Sequence, residues 1–232
     1  MASRWAKVRV GILLVFIAAC ILGGAVFLEQ IPSLLFMVGL TPSLDILRVF
    51  GDILQICAVL VLGQGILAIV GYCFCLVVPN KHAALGLAIA ALALGGVNLI
   101  LRLTFGGIHF GGEGNFALGA FSVFDVEGRN ILPILRDLLF LAELLVFPLF
   151  LRAVALARKE EGIASMCLNV VIVAAVHAGV KLVYYLVIYS FANSASRGLY
   201  YVINTLYWIT VLIFLGQIAF YAITLKQTRD AL

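Results

Sequence analysis

Residues 11–28 read Gly-Ile-Leu-Leu-Val-Phe-Ile-Ala-Ala-Cys-Ile-Leu-Gly-Gly-Ala-Val-Phe-Leu, a run without a single charge. A helix needs about 20 mostly apolar residues to cross the hydrocarbon of a bilayer, whereas a barrel strand needs about 10 in strict alternation. The run is long and does not alternate, so it reads as a spanning helix. Arg4, Lys7 and Arg9 precede it. A basic start before an apolar run also describes a signal peptide. This run exceeds the roughly 7–15 residues of a signal core, and Glu29-Gln30-Ile31-Pro32 offers no small-residue cleavage site. A retained first span is expected.

The rest of the chain has the same character. Of its 232 residues, 65% are hydrophobic and 11% charged, and the mean hydropathy is +1.20. Soluble domains average about 45–50% apolar and about 25% charged. The expected fold is therefore all-α, a polytopic transmembrane bundle of six spans in one domain, 1–232. The spans are placed at about 10–28, 52–78, 83–104, 131–157, 163–191 and 199–225. Residues 31–50, with Pro32 and Pro42, are expected at the interface or as a short re-entrant piece. The third span carries Ala84, Gly86, Ala88, Ala90, Ala91, Gly95 and Gly96. Small residues let helices approach closely in lipid, so this span is expected to be the central packing helix. Pro148 should kink the fourth span, because an interior proline removes a backbone hydrogen bond. Residues 106–130 hold seven glycines and read as a surface loop. No strand-to-helix turn with a following Lys-Ser/Thr marks it as a phosphate cradle.

Basic residues set the orientation. One side of the six spans carries Arg4, Lys7, Arg9, Lys81, Arg152, Arg158, Lys159, Lys226 and Arg229; the other carries Arg48, Arg129 and Arg197. By the positive-inside rule both termini should be cytoplasmic. Tyr184, Tyr185, Tyr189, Tyr200 and Tyr201 flank the opposite turn between spans five and six, where an aromatic belt is expected.

Charge inside apolar segments is costly and is kept for a reason. Asp52, Arg102, Arg136, Asp137 and Lys181 fall at a similar depth toward the non-cytoplasmic ends of four spans, and Glu143 and His177 lie deeper. His177 and Lys181 are four apart and share a helix face. The pairings expected across spans four and five are Asp137 with Lys181 and Glu143 with His177. Two readings follow. Closed pairs would lock the bundle, which is the preferred reading, whereas an open cluster would bind a small ligand, an ion or a proton.

Other chemistries find little support. Runs of basic residues with interleaved aromatics are absent, which excludes nucleic acid. Cys20, Cys57, Cys73, Cys75 and Cys167 lie in apolar runs or at their ends and read as small hydrophobes. Cys73 and Cys75 are too close for a zinc knuckle and no second pair follows, so no metal site is expected. Bis-histidine haem needs axial ligands from facing helices, and of His82, His109 and His177 only the last is mid-span, so no cofactor is expected. Neither H-E-x-x-H nor G-x-S-x-G occurs, and no catalytic role is expected.

Three stretches carry a resemblance: Trp5-Ala6-Lys7-Val8-Arg9-Val10-Gly11, Gly71-Tyr72-Cys73-Phe74-Cys75-Leu76-Val77-Val78-Pro79 and Phe150-Leu151-Arg152-Ala153-Val154-Ala155. In order and spacing they resemble a group of uncharacterised six-span proteins of the bacterial inner membrane. The resemblance implies that location. It transfers no activity or site residue, and although some members carry a zinc-ribbon segment before the spans, nothing about metal is expected from it here. The expected role is that of a structural, accessory or interaction subunit. Its partners are the lipid bilayer and other membrane subunits or further copies of itself. The alternatives are a small-molecule or ion transporter using the polar cluster, and a redox subunit holding haem or quinone beside His177.

Overall fold

The computed structural model describes residues 2–37, 44–79, 83–105, 132–191 and 197–232. They form six helices: α1 (Ala2–Met37), α2 (Leu44–Cys75), α3 (Ala83–Phe105), α4 (Leu132–Ala157), α5 (Glu161–Phe191) and α6 (Arg197–Asp230). There is no strand among the described residues. Each helix contains a segment long and apolar enough to cross a membrane. The 106–130 loop, His82 and His109 lie outside the described residues.

Each helix packs on its neighbour in sequence, and α1 closes the ring against α6. The Gly11–Gly71 contact joins α1 to α2. Tyr207 bonds Gln30 and Ile218 lies against Gly23, so α1 and α6 are antiparallel. The two termini therefore share one end of the bundle. α4 also touches α6 across the ring: Phe140 meets Phe214 at 5.9 Å and Phe147 meets Tyr221 at 6.5 Å. Both partners advance by seven residues, so these two helices run parallel. The core is continuous through α1, α4 and α6, with Val8, Ile12, Phe147, Phe150, Leu151, Phe214 and Leu225 fully buried.

The outside of the bundle is apolar. Ile56, Val59, Ile66, Ile89, Ile100, Leu186 and Leu212 all point outward. The inside is not purely apolar: Gln30, Gln64, Asn98, Asp137, Glu143, His177, Lys181 and Gln217 are buried. That inversion suits lipid, where packing and interhelical hydrogen bonds hold helices together because tails are as apolar as leucine.

Several boundaries differ from expectation. α1 runs on to Met37 and α2 already begins at Leu44, so residues 31–37 and 44–50 are helical extensions of the spans, and residues 38–43 lie outside the described residues. α3 is not central: 28% of its spanning segment is buried, against 50% for α4. Its small residues divide between faces. Ala84, Ala88, Ala91 and Gly95 recur at helical spacing and face inward, while Gly86 faces out. Pro148 lies inside α4, which is helical on both sides of it, as a kinked helix is.

A tight turn carrying Arg158, Lys159 and Glu160 joins α4 to α5. Glu160 N–H donates to the Ala155 carbonyl at 2.9 Å and Lys159 N–H to the Leu156 carbonyl at 3.0 Å. This is a Schellman cap, which places its closing residue in the left-handed region. Here that residue is Lys159, at φ 62°, and not glycine. The turn also meets the start of α1, where the Arg158 guanidinium lies 5.5 Å from the Trp5 ring.

Candidate functional site

α4 supplies both acids of the bundle interior and sends them in different directions. A six-residue step rotates about a third of a turn around the axis. Asp137 consequently faces α5, and Glu143 faces α2 and α3.

Asp137 forms an ion pair with Lys181, and the Tyr185 hydroxyl donates to the same carboxylate oxygen. Lys181 and Tyr185 are four apart on α5, so one face of that helix presents both groups. The side chains of Lys181 and Asp137 are 6% and 4% exposed. The expected Asp137–Lys181 pair is present and closed.

The expected Glu143–His177 pair does not form. Glu143 accepts from the Tyr72 hydroxyl at 2.7 Å and from the Asn98 amide at 3.3 Å. Phe147, one turn along α4, stacks on the Tyr72 ring at 4.8 Å. Two α4 side chains thus hold one tyrosine, by its hydroxyl and by its face. His177 instead lies against α6. Its Nδ1 is 2.8 Å from Gln217 Oε1, and its ring is 5.4 Å from Phe214. The reason is angular: His177 and Lys181 share one face, so they cannot both meet acids a third of a turn apart.

Asp52 does not join these groups: it is exposed on α2, away from the buried acids of α4. Arg102 and Arg136 stand on α3 and α4, but their side chains lie outside the described residues. The tyrosines expected as an aromatic belt divide. Tyr184 is buried 6.5 Å from Tyr207, Tyr185 serves Asp137, and Tyr201 alone of the three faces outward. Side chains 189 and 200 lie outside the described residues. Cys57, Cys75 and Cys167 are buried as expected, whereas Cys20 and Cys73 face outward.

A cleft opens between α2, α3 and α4, lined by Gln64, Gly65, Gly95, Asn98, Leu99, Phe140 and Glu143. Its free volume is about 10 Å³, enough for the centre of one water-sized occupant. Glu143 lies 11 residues after Leu132 and 14 before Ala157. At about 1.5 Å per residue it sits near the middle of α4. Gln64, Tyr72, Asn98 and Gln217 escape a census of charges. The signal that finds them is an amide or phenol inside an apolar run, since a buried polar group needs a partner.

Among the described residues no group of three or more His, Cys, Asp or Glu side chains is arranged to hold a metal. No protein-family model matches the chain, and no curated protein or solved structure does either.

Proposed function

We propose that the chain is a multi-pass integral protein of the bacterial inner membrane, with cytoplasmic termini, acting as a non-catalytic structural or accessory subunit. The observation that best supports this role is the closure of the Asp137–Lys181–Tyr185 group. A carrier working through those charges needs water to reach them, and the Lys181 and Asp137 side chains are only 6% and 4% exposed. The basic end residues support the orientation. The resemblance to six-span inner-membrane proteins supports the location. Its three stretches also meet in space: Gly11 touches Gly71 and Cys75, and Phe147 stacks on both Tyr72 and Phe150. The inward turn of His177 toward Gln217 gives a redox role no separate support.

Purification in mild detergent from native membranes tests the role. The expected result is a colourless stoichiometric assembly, with a second membrane protein or with further copies of the chain. A monomer that moves a solute across proteoliposomes contradicts it, as does a Soret band that co-purifies with the chain. The second reading, an ion carrier, is favoured by one observation: the cleft beside Glu143.

A further inference from the structure

We propose that the cleft between α2, α3 and α4 is a binding site for a single small monovalent cation, coordinated by the side-chain oxygens of Gln64 and Asn98 beside the Glu143 carboxyl. The site goes beyond the structural role of the chain and does not depend on it.

Two buried amide oxygens carry the inference. Gln64 is 7% exposed and Asn98 3%, and both line the cleft. Gln64 Oε1 and Asn98 Oδ1 have no hydrogen-bond partner. A buried acceptor left unmade is destabilising, so two on facing helices around one small space call for an occupant. The Asn98 amide already donates to Glu143, which aligns that side chain with the carboxyl.

The space itself is kept open by glycine. A Cβ at Gly95 would meet a Tyr72 ring carbon at 3.1 Å and Glu143 Oε1 at 3.3 Å. One at Gly65 would meet a Leu99 methyl at 3.2 Å. Any larger residue would crowd the groups that form the site.

Donor chemistry selects the occupant. The lining offers neutral amide oxygens and a carboxyl, all hard oxygen donors, and no thiolate or imidazole. Such ligands suit hard cations and not soft metals. Calcium takes about 6–8 oxygens, commonly from several carboxylates, and this cleft holds one carboxyl in the room of one water.

The full-length chain, purified in detergent, is titrated with sodium, potassium or choline chloride at constant ionic strength while its melting temperature is followed. Sodium or potassium should raise Tm saturably, by about 3–5 °C at ten times the dissociation constant, and choline should not. Gln64→Leu should abolish the dependence, while Thr104→Ala, on the outside of α3, should retain it. Should Gln64→Leu fail to fold, binding of radioactive sodium to the wild-type protein decides the matter. Equal melting in all three salts, no sodium bound, or an undiminished dependence in Gln64→Leu overturns the proposal and leaves a resident water only.

Discussion

Replacing Gly11 by alanine should drive α1 and α2 apart. A Cβ built there lies 2.6 Å from the Gly71 carbonyl oxygen, 2.9 Å from Cys75 Sγ and 3.0 Å from Phe74 Cβ. A Cβ at Gly71 lies 2.7 Å from the Gly11 carbonyl oxygen and 2.7 Å from Val15 Cγ2. The closest neighbour in each case includes backbone, which no rotamer change can move. A comfortable carbon-to-oxygen approach is about 3.3–3.6 Å, so the helices must separate by roughly 0.7 Å. A radial gap of about 0.5–1 Å forfeits a quarter to a half of each dispersion contact across the seam. Overpacking costs about 1–3 kcal/mol, and a backbone clash belongs at the upper end, so each substitution should cost about 2–3 kcal/mol. That corresponds to a fall in melting temperature of about 5–10 °C for a chain of this size. Gly24 and Gly63, on the same two helices, have nothing within 4 Å of a built Cβ and serve as controls. The double variant Gly11→Ala with Gly71→Ala should cost less than the sum, because the second methyl enters space already opened. Thermal unfolding in detergent, followed by tryptophan fluorescence, reads all five proteins. If Gly11→Ala melts within a degree or two of Gly24→Ala, the close crossing is refuted.

Other perturbations probe the cap and the Glu143 cluster. Tyr72→Phe removes the hydroxyl that donates to Glu143 while leaving the ring on Phe147, and should cost about 1–3 kcal/mol in thermal unfolding. Gly95→Ala should be milder, about 1 kcal/mol, because its nearest obstacles are side-chain atoms and not backbone. Lys159→Gly should raise stability by up to about 1 kcal/mol, since it relieves a left-handed lysine at the α4 cap. An unchanged or lowered melting temperature would count against the strain. A cysteine placed at Glu160, exposed in the α4–α5 turn, should resist an impermeant maleimide in intact spheroplasts and react after lysis.

Much of this architecture is legible in the sequence, and the parts that are not have physical reasons. Length and hydropathy place the helices, because in lipid a backbone must satisfy its hydrogen bonds within itself. The Asp137–Lys181 pair is legible because opposite charges on consecutive helices joined by a three-residue charged turn have few other places to go. Glu143 and His177 mislead because depth alone pairs them, while rotation about the helix axis separates them. The importance of α3 is overread from composition: small residues mark a close approach only where they share one face, as Ala84, Ala88, Ala91 and Gly95 do. The close approach at Gly11 and Gly71 needs just one glycine on each helix, and composition does not weigh single residues. The helical reach of α1 past Pro32 is hidden for a similar reason, since a proline predicts a break that neighbouring structure can override.

Asp137, Lys181 and Tyr185 form a closed lock between α4 and α5. A charge-swap cycle on Asp137 and Lys181 tests it most directly. Asp137→Lys or Lys181→Asp alone leaves two like charges buried together and should cost at least about 3–5 kcal/mol, read as lost folded protein in detergent. The double swap should recover at least about 2 kcal/mol of that loss, because the pair is restored with its sign reversed. A double swap no better folded than either single variant would contradict the claim.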